Sequence, residues 1–393
     1  MSGDSADVIP DYLHLHLKDD SQGDIASEFS SISRRSSTFT GFSSQGSYYK
    51  RGRTGPYLEG NLRLLETINS KSMEREFNSD VMCCRFNHDG SHLAVGLCDG
   101  TIKIFNALSG QQLYTLSDED TNKCRLPVTQ IRFQPFAEGG KSEYTHIIIA
   151  TYASGHIKFW HYTSGMCLST INEVRQILAL TVNPEGTHIL TAGAEPQINM
   201  YDLETRKKVA TMEPSDGYDI MDGHRFRVFA LQYNPNHPHI FISGGWDDTV
   251  QYWDDRKTHS VKKFTGPHLC GDALDIDPIH NHILTGSWRK SHVLQIWDFA
   301  SAVKIKDVPQ DALNHSQLYC AQWLGRDSII CGGTNQNMAR IIDRGTLNTT
   351  GQLVDLPQGV YCIDNDRQGT TPKIAVGSNR FVYLLRAEKK QFS

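Results

Sequence analysis

Three histidine pairs in this 393-residue chain have the i, i+2 spacing that places two imidazoles on one face of a strand: His14/His16, His237/His239 and His280/His282. Two imidazoles side by side make half of a tetrahedral zinc site. Nothing nearby completes the set. His237-Pro238-His239 and His280-Asn281-His282 lie in expected surface turns, without an adjacent Cys or carboxylate to add ligands. Nucleophilic chemistry fares no better, because no G-x-S-x-G, P-loop or H-E-x-x-H occurs. Asp and Glu recur in turns, where an Asp side chain caps its own backbone. The chain is therefore read as a non-enzyme, with no catalytic residue, no metal and no cofactor.

The nine cysteines are odd in number, form no C-x-x-C, and fall mostly in apolar, strand-like contexts. They read as reduced core residues of an intracellular protein, cytoplasmic or nuclear. The sequons at Asn314 and Asn348 are then expected to be unused. Thirty-nine Lys and Arg against 44 Asp and Glu give a net charge of −5, which lacks the basic excess of a nucleic-acid binder. No apolar run approaches the ~20 residues that cross a bilayer. The polar start MSGDSADVIPDY is not a secretory signal. Other proteins or peptides are the expected partners; a membrane, a small-molecule substrate and nucleic acid are not.

Residues 1–60 are rich in Ser and Gly with no sustained apolar period, so they are expected to form a disordered tail. Within it, Asp11–Leu17 alternates as a docking peptide would. Arg34-Arg35-Ser36-Ser37 resembles a basophilic kinase site, making Ser36 and Ser37 phosphorylation candidates.

Residues 61–393 repeat. Each unit carries an alternating strand, a turn, a strand ending in small residues, a tight polar turn, and a third strand ending in an aromatic or apolar residue. Those third strands end at Phe105, Trp160, Tyr201, Trp253, Trp297, Ile342 and Leu385, so successive gaps are 55, 41, 52, 44, 45 and 43 residues. A period in the forties with four strands per unit indicates a β-propeller. The long gaps coincide with an insert at Ala137–Tyr144 and a loop at Met212–Asp222. Outer fourth strands follow most third strands, but too little chain remains after Leu385 for another. Leu62–Ile68 looks like the missing one. The expected fold is all-β: a seven-bladed propeller over 61–393, closed by an N-terminal strand that pairs with the last unit.

The fourth unit adds detail. Gly223-His224 and Trp253-Asp254 bracket Ser243-Gly244-Gly245-Trp246-Asp247-Asp248, and this arrangement resembles the GH…WD pattern of WD-repeat propellers. The resemblance implies a buried hydrogen-bonded tetrad of His224, Ser243, Asp247 and Trp253. It further implies a rigid scaffold whose narrow top face docks proteins or peptides. On that face Trp246 and Trp288, flanked by Arg225, Phe226, Arg289 and Lys290, are the expected contact residues; the alternative is that the tryptophans pack over their blades. Trp253-Asp254-Asp255-Arg256 resembles the W-D-x-R box of cullin–RING ubiquitin-ligase substrate receptors, with Arg256 on the bottom face as the adaptor contact.

Overall fold

A computed structural model of the chain describes residues 55–70, 80–135, 146–217, 221–311 and 314–388. Ser36, Ser37, the Asp11–Leu17 segment, His14/His16 and the Ala137–Tyr144 insert lie outside them.

Seven antiparallel sheets follow one another around a ring. Blade one consists of Val81–Phe86, His92–Leu97, Ile102–Asn106 and Gln112–Leu116. Blades two to five repeat that order from Val128, Ile177, Val228 and Leu274, and blade six starts at Ser316. Blade seven has three consecutive strands, Val360–Asn365, Lys373–Ser378 and Phe381–Ala387. Its fourth is Leu62–Asn69, which pairs from Leu62↔Ala387 to Asn69↔Phe381 with one register shift between Leu64 and Glu66. The ring thus closes as expected, through chain ends that meet in one sheet and leave no open side.

Two elements differ from expectation. The tail boundary at residue 60 is too late: Tyr57–Gly60 is a strand on the outer edge of blade six, paired with Thr349–Val354, which makes that blade five-stranded. Gly60 reverses the chain there at φ +72°, and a Cβ on it would lie 2.3 Å from the Thr350 carbonyl oxygen. The second is a short helix, Glu119–Cys124, in the loop leading into blade two. Asp118 caps it by accepting from the Thr121 amide, while the Thr121 hydroxyl accepts from the Asp118 amide.

The innermost strands share a distortion. Register slips near the start of six of them, at Val81/Cys83, Val128/Gln130, Ile177/Ala179, Val228/Ala230, Leu318/Cys320 and Val360/Cys362. Each bulge sharpens the local twist. It also brings the strand's backbone against the end of the second strand, which explains the small residues there. A Cβ on Gly245 would lie 2.0 Å from the Arg227 carbonyl oxygen, and one on Gly333 1.8 Å from that of Gln317.

Apolar side chains from adjacent blades interdigitate between the sheets. Ile242, Val250 and Tyr252 of blade four pack with Leu274, Leu284 and Trp297 of blade five in one buried cluster. Complete burial of each such side chain contributes about 1.5–3 kcal/mol. The blades are therefore mutually supporting, and the loops at their ends are held on a stiff frame.

Candidate functional site

The four tetrad residues meet in blade four. Trp253 Nε1–H donates to Ser243 Oγ at 2.7 Å, Ser243 Oγ lies 2.6 Å from His224 Nε2, and His224 Nδ1 lies 2.8 Å from Asp247 Oδ2. One direction of donation satisfies the chain: indole to hydroxyl, hydroxyl to imidazole, imidazole to carboxylate. Asp247 accepts further from the Arg225 amide and the Thr249 hydroxyl. Burial works to raise the Asp247 carboxyl, but the His224 hydrogen bond and charge hold it below its usual range. His224, Ser243 and Trp253 are fully buried. The tetrad is a staple that fixes the loop into blade four, and with it Arg225 and Phe226.

Other blades fix the same loop with different chemistry, which spacing alone did not reveal. In blade three, Glu173 takes the place of the histidine. Its carboxylate accepts from the hydroxyls of Thr191 and Tyr201 on one oxygen, and from Arg175 Nε and Asn199 Nδ2 on the other. Burial first, and the Glu173 charge second, push the Tyr201 phenol well above its usual range. In blade two, the fully buried Lys158 ammonium donates to Asp118 at 2.6 Å and Asp120 at 3.0 Å, anchoring the helix-bearing loop. In blade six, Arg340 donates to the Pro309 carbonyl. Lys158, Asn199, Gln251 and Arg340 occupy one position, two residues before the end-aromatic or its substitute. A polar residue there was the available signal.

These staples carry a top rim. Trp246 follows the second strand of blade four and Trp288 that of blade five. Both are half-buried. Trp246 is sandwiched, with Phe229 at 5.4 Å and His268 at 6.4 Å between centroids, and its indole N–H donates to Cys270 Sγ at 3.2 Å. The Trp288 amide donates to the His268 carbonyl, and its ring stacks on Tyr319. The 268–270 segment therefore links the two tryptophans, and packing is a large part of what both do. Arg289 is engaged by Asp248 at 2.7 Å, which also binds His268. Arg225 donates to the carbonyls of Ser215 and Gly217. Lys290 is exposed. Phe226 is 60% exposed, and Val174, in the corresponding loop of blade three, is entirely exposed. Val174 was not anticipated.

The central channel holds a second unanticipated group. Arg85 of blade one reaches Asp364 of blade seven at 2.9 Å and Asp272 of blade five at 3.1 Å. Arg132 of blade two adds to Asp272 at 3.6 Å. Burial, then the neighbouring Arg85 charge, lowers Arg132 to about 10. Burial raises Asp275 to about 6. The cluster ties blades across the axis.

On the opposite, bottom rim, Arg256 is largely exposed but folds back on its own box: Nε and Nη2 donate to Asp254 at 2.7 and 2.8 Å. That bond pulls Asp254 down to about 2. The histidine pairs are engaged as well. His239 faces Asp255 at 3.0 Å, His280 faces Asp277 at 2.7 Å, and His282 Nδ1 accepts from Arg344. Among the described residues no three His, Cys, Asp or Glu side chains are grouped to hold a metal. All nine cysteines are free.

Ring closure, seven blades built on four strands each with a fifth added to blade six, and the blade-four tetrad define a WD-type β-propeller. Residues 218–254 match the family model of the WD domain, G-beta repeat, and residues 58–203 match that of the nucleolar protein 10-like N-terminal domain. Over these two segments the chain resembles the WD-repeat β-propellers, and the relatives it matches carry WD-repeat names or are of that kind. It is 26% identical over 250 residues to periodic tryptophan protein 2 of Arabidopsis thaliana, covering 63% of this chain and 24% of that protein. It is 22% identical over 276 residues to the guanine nucleotide-binding protein subunit beta of Solanum tuberosum, covering 60% and 69%. With WD repeat-containing protein 25 of Mus musculus it shares 28% over 193 residues, covering 47% and 33%. The chain spans about a quarter of the length of the Arabidopsis protein.

Proposed function

We propose that this chain is a non-enzymatic protein-interaction scaffold that docks a peptide segment of a partner on the top rim of blades three to five. One observation carries the reading. The loops leading into adjacent blades present Val174 and Phe226 to solvent while their flanks are stapled by Glu173 and His224. An apolar side chain on an immobile loop offers contact area at little entropic cost on binding. Trp246, Trp288, Arg225 and Arg289 form the firm bed beside them, each already held by a neighbour. The nucleolar protein named in the matched family description supports a nuclear place for the scaffold.

Val174→Asp combined with Phe226→Asp tests this without disturbing packed residues. Quantitative affinity purification from cells is expected to lose a discrete set of partners while the melting temperature is kept. Equal recovery of every partner by wild type and variant rejects the top rim. The substrate-receptor alternative rests on Arg256, whose guanidinium is occupied by Asp254; recovery of a ligase adaptor by wild type and its loss in Arg256→Ala would be needed to establish it.

A further inference from the structure

Blade seven carries three cations in one row across its sheet. Arg63 of the closing strand stands opposite Arg386, and Arg386 opposite Lys373. Residues directly opposite in an antiparallel ladder project to the same face, with Cβ atoms about 4.5–5.5 Å apart, and like charges there repel. Lys373 is discharged: its ammonium lies 3.6 Å from Asp366 and donates to the Gly90 carbonyl. Arg63 and Arg386 have no such relief. Both are exposed, and among the described residues neither makes an ion pair or a side-chain hydrogen bond. They line a concavity of about 440 Å³ together with Thr370 and Thr371, with Leu65 also in its wall. Glu388 also lines it, without pairing to either arginine. Two arginines against one carboxylate leave the charge of this lining positive.

We propose that this concavity is an anion site that takes a phosphorylated serine or threonine side chain of a partner protein. A phosphate offers three acceptor oxygens and close to two negative charges, which match two guanidinium forks. Bound between Arg63 and Arg386 it cancels their repulsion, and the two threonine hydroxyls supply further donors. One concavity at the corner of one blade suits a single phosphate. A nucleic-acid strand needs a track of cations, and the chain's charge of −5 provides no such field. The site is on the bottom rim, so it is independent of the apolar contacts on the top face.

The test uses the full chain at constant ionic strength, with thermal shift and calorimetry as readouts. The probes are N-acetyl-phosphoserine amide, N-acetyl-serine amide, inorganic phosphate and a short oligouridylate. The phosphoserine amide is expected to bind saturably and the serine amide not at all. Arg63→Gln with Arg386→Gln is expected to weaken binding about tenfold or more, since each fork supplies paired charge-assisted hydrogen bonds. Arg63→Lys with Arg386→Lys keeps the charge but loses the forks, and is expected to weaken it by an intermediate factor. Relief of the like-charge pair means the Gln variant should melt no lower than wild type, which separates lost binding from lost folding. Equal binding by wild type and the Gln variant overturns the proposal. So does a response to inorganic phosphate alone, or tighter binding of the oligouridylate than of the phosphoserine amide.

Discussion

Glu173 offers the sharpest test of how the top loops are held. Its side chain is only 4% exposed and receives four donors, two nitrogens on one oxygen and two hydroxyls on the other. Glu173→Gln has an obvious way to adapt. The amide oxygen can keep Arg175 and Asn199, and the amide nitrogen can donate to Thr191 and Tyr201, whose hydroxyls turn to accept. What is lost is the carboxylate charge: the ion pair with Arg175 becomes a hydrogen bond from a cation to a neutral amide oxygen, at a cost of about 1–2 kcal/mol. Glu173→Ala removes all four partners and leaves buried Arg175 without its carboxylate, at a cost of about 3–5 kcal/mol. At about 2.1 cal/mol/K per residue, a domain of some 330 residues has an unfolding entropy near 0.7 kcal/mol/K. The expected falls in melting temperature are therefore about 1.5–3 °C for Gln and about 4–7 °C for Ala. Scanning calorimetry measures both. Hydrogen exchange should show the extra opening confined to the loop around Glu173 and the turn at Gln197, whose carbonyl accepts from Arg175. An alanine variant that melts with wild type would refute the idea that this carboxylate is the loop's anchor. A glutamine variant as damaged as alanine would refute the proposed exchange of donors.

Two further outcomes follow from the structure. Asp275 has a folded-state pKa of about 6, above its unfolded value, because of burial. The folded form therefore holds the proton more tightly, so the stability this group contributes is complete below pH ~4 and lost as pH rises through 6. Asp275→Asn should remove that decline, so its urea midpoint relative to wild type should be higher at pH 7.5 than at pH 4.5; an unchanged difference would show that Asp275 does not titrate in this way. Deleting residues 1–60 removes the fifth strand of blade six, including the Glu59–Gln352 hydrogen bond and the contact of Leu58 with the core. It should cost about 1–3 kcal/mol with a cooperative melt retained, whereas deletion through residue 70 opens the ring and should abolish the cooperative transition.

Much of this architecture is written locally. The seven third strands end in regularly spaced residues such as Trp160, Trp253 and Trp297, and the closing strand Leu62–Asn69 has the length and alternation of its counterparts. The tetrad was legible for the same reason: His224, Ser243, Asp247 and Trp253 fall within one repeat. Tyr57–Gly60 was not, because the three residues between Gly55-Pro56 and the reversing Gly60 show no period, and their partner strand lies almost 300 residues later. Glu173 was missed because it does the work of a histidine with a different donor set. The axial cluster was missed because Arg85, Asp272 and Asp364 belong to blades far apart in sequence, and only ring closure brings them together. The tryptophans mark an intermediate case: their place after the second strands could be read, but not the sandwich that holds Trp246.

The hairpin-like passage from Tyr57–Gly60 to Leu62–Asn69 has a mechanical meaning. It laces the last two sectors of the disc together from outside, so a tether pulling on the N-terminal arm must strip the outer ribbon of one sector before it loads the buckle of the next. Load entering at Tyr57 is thus taken up at the periphery of blades six and seven, whereas Val174 and Phe226 sit on the loops into blades three and four.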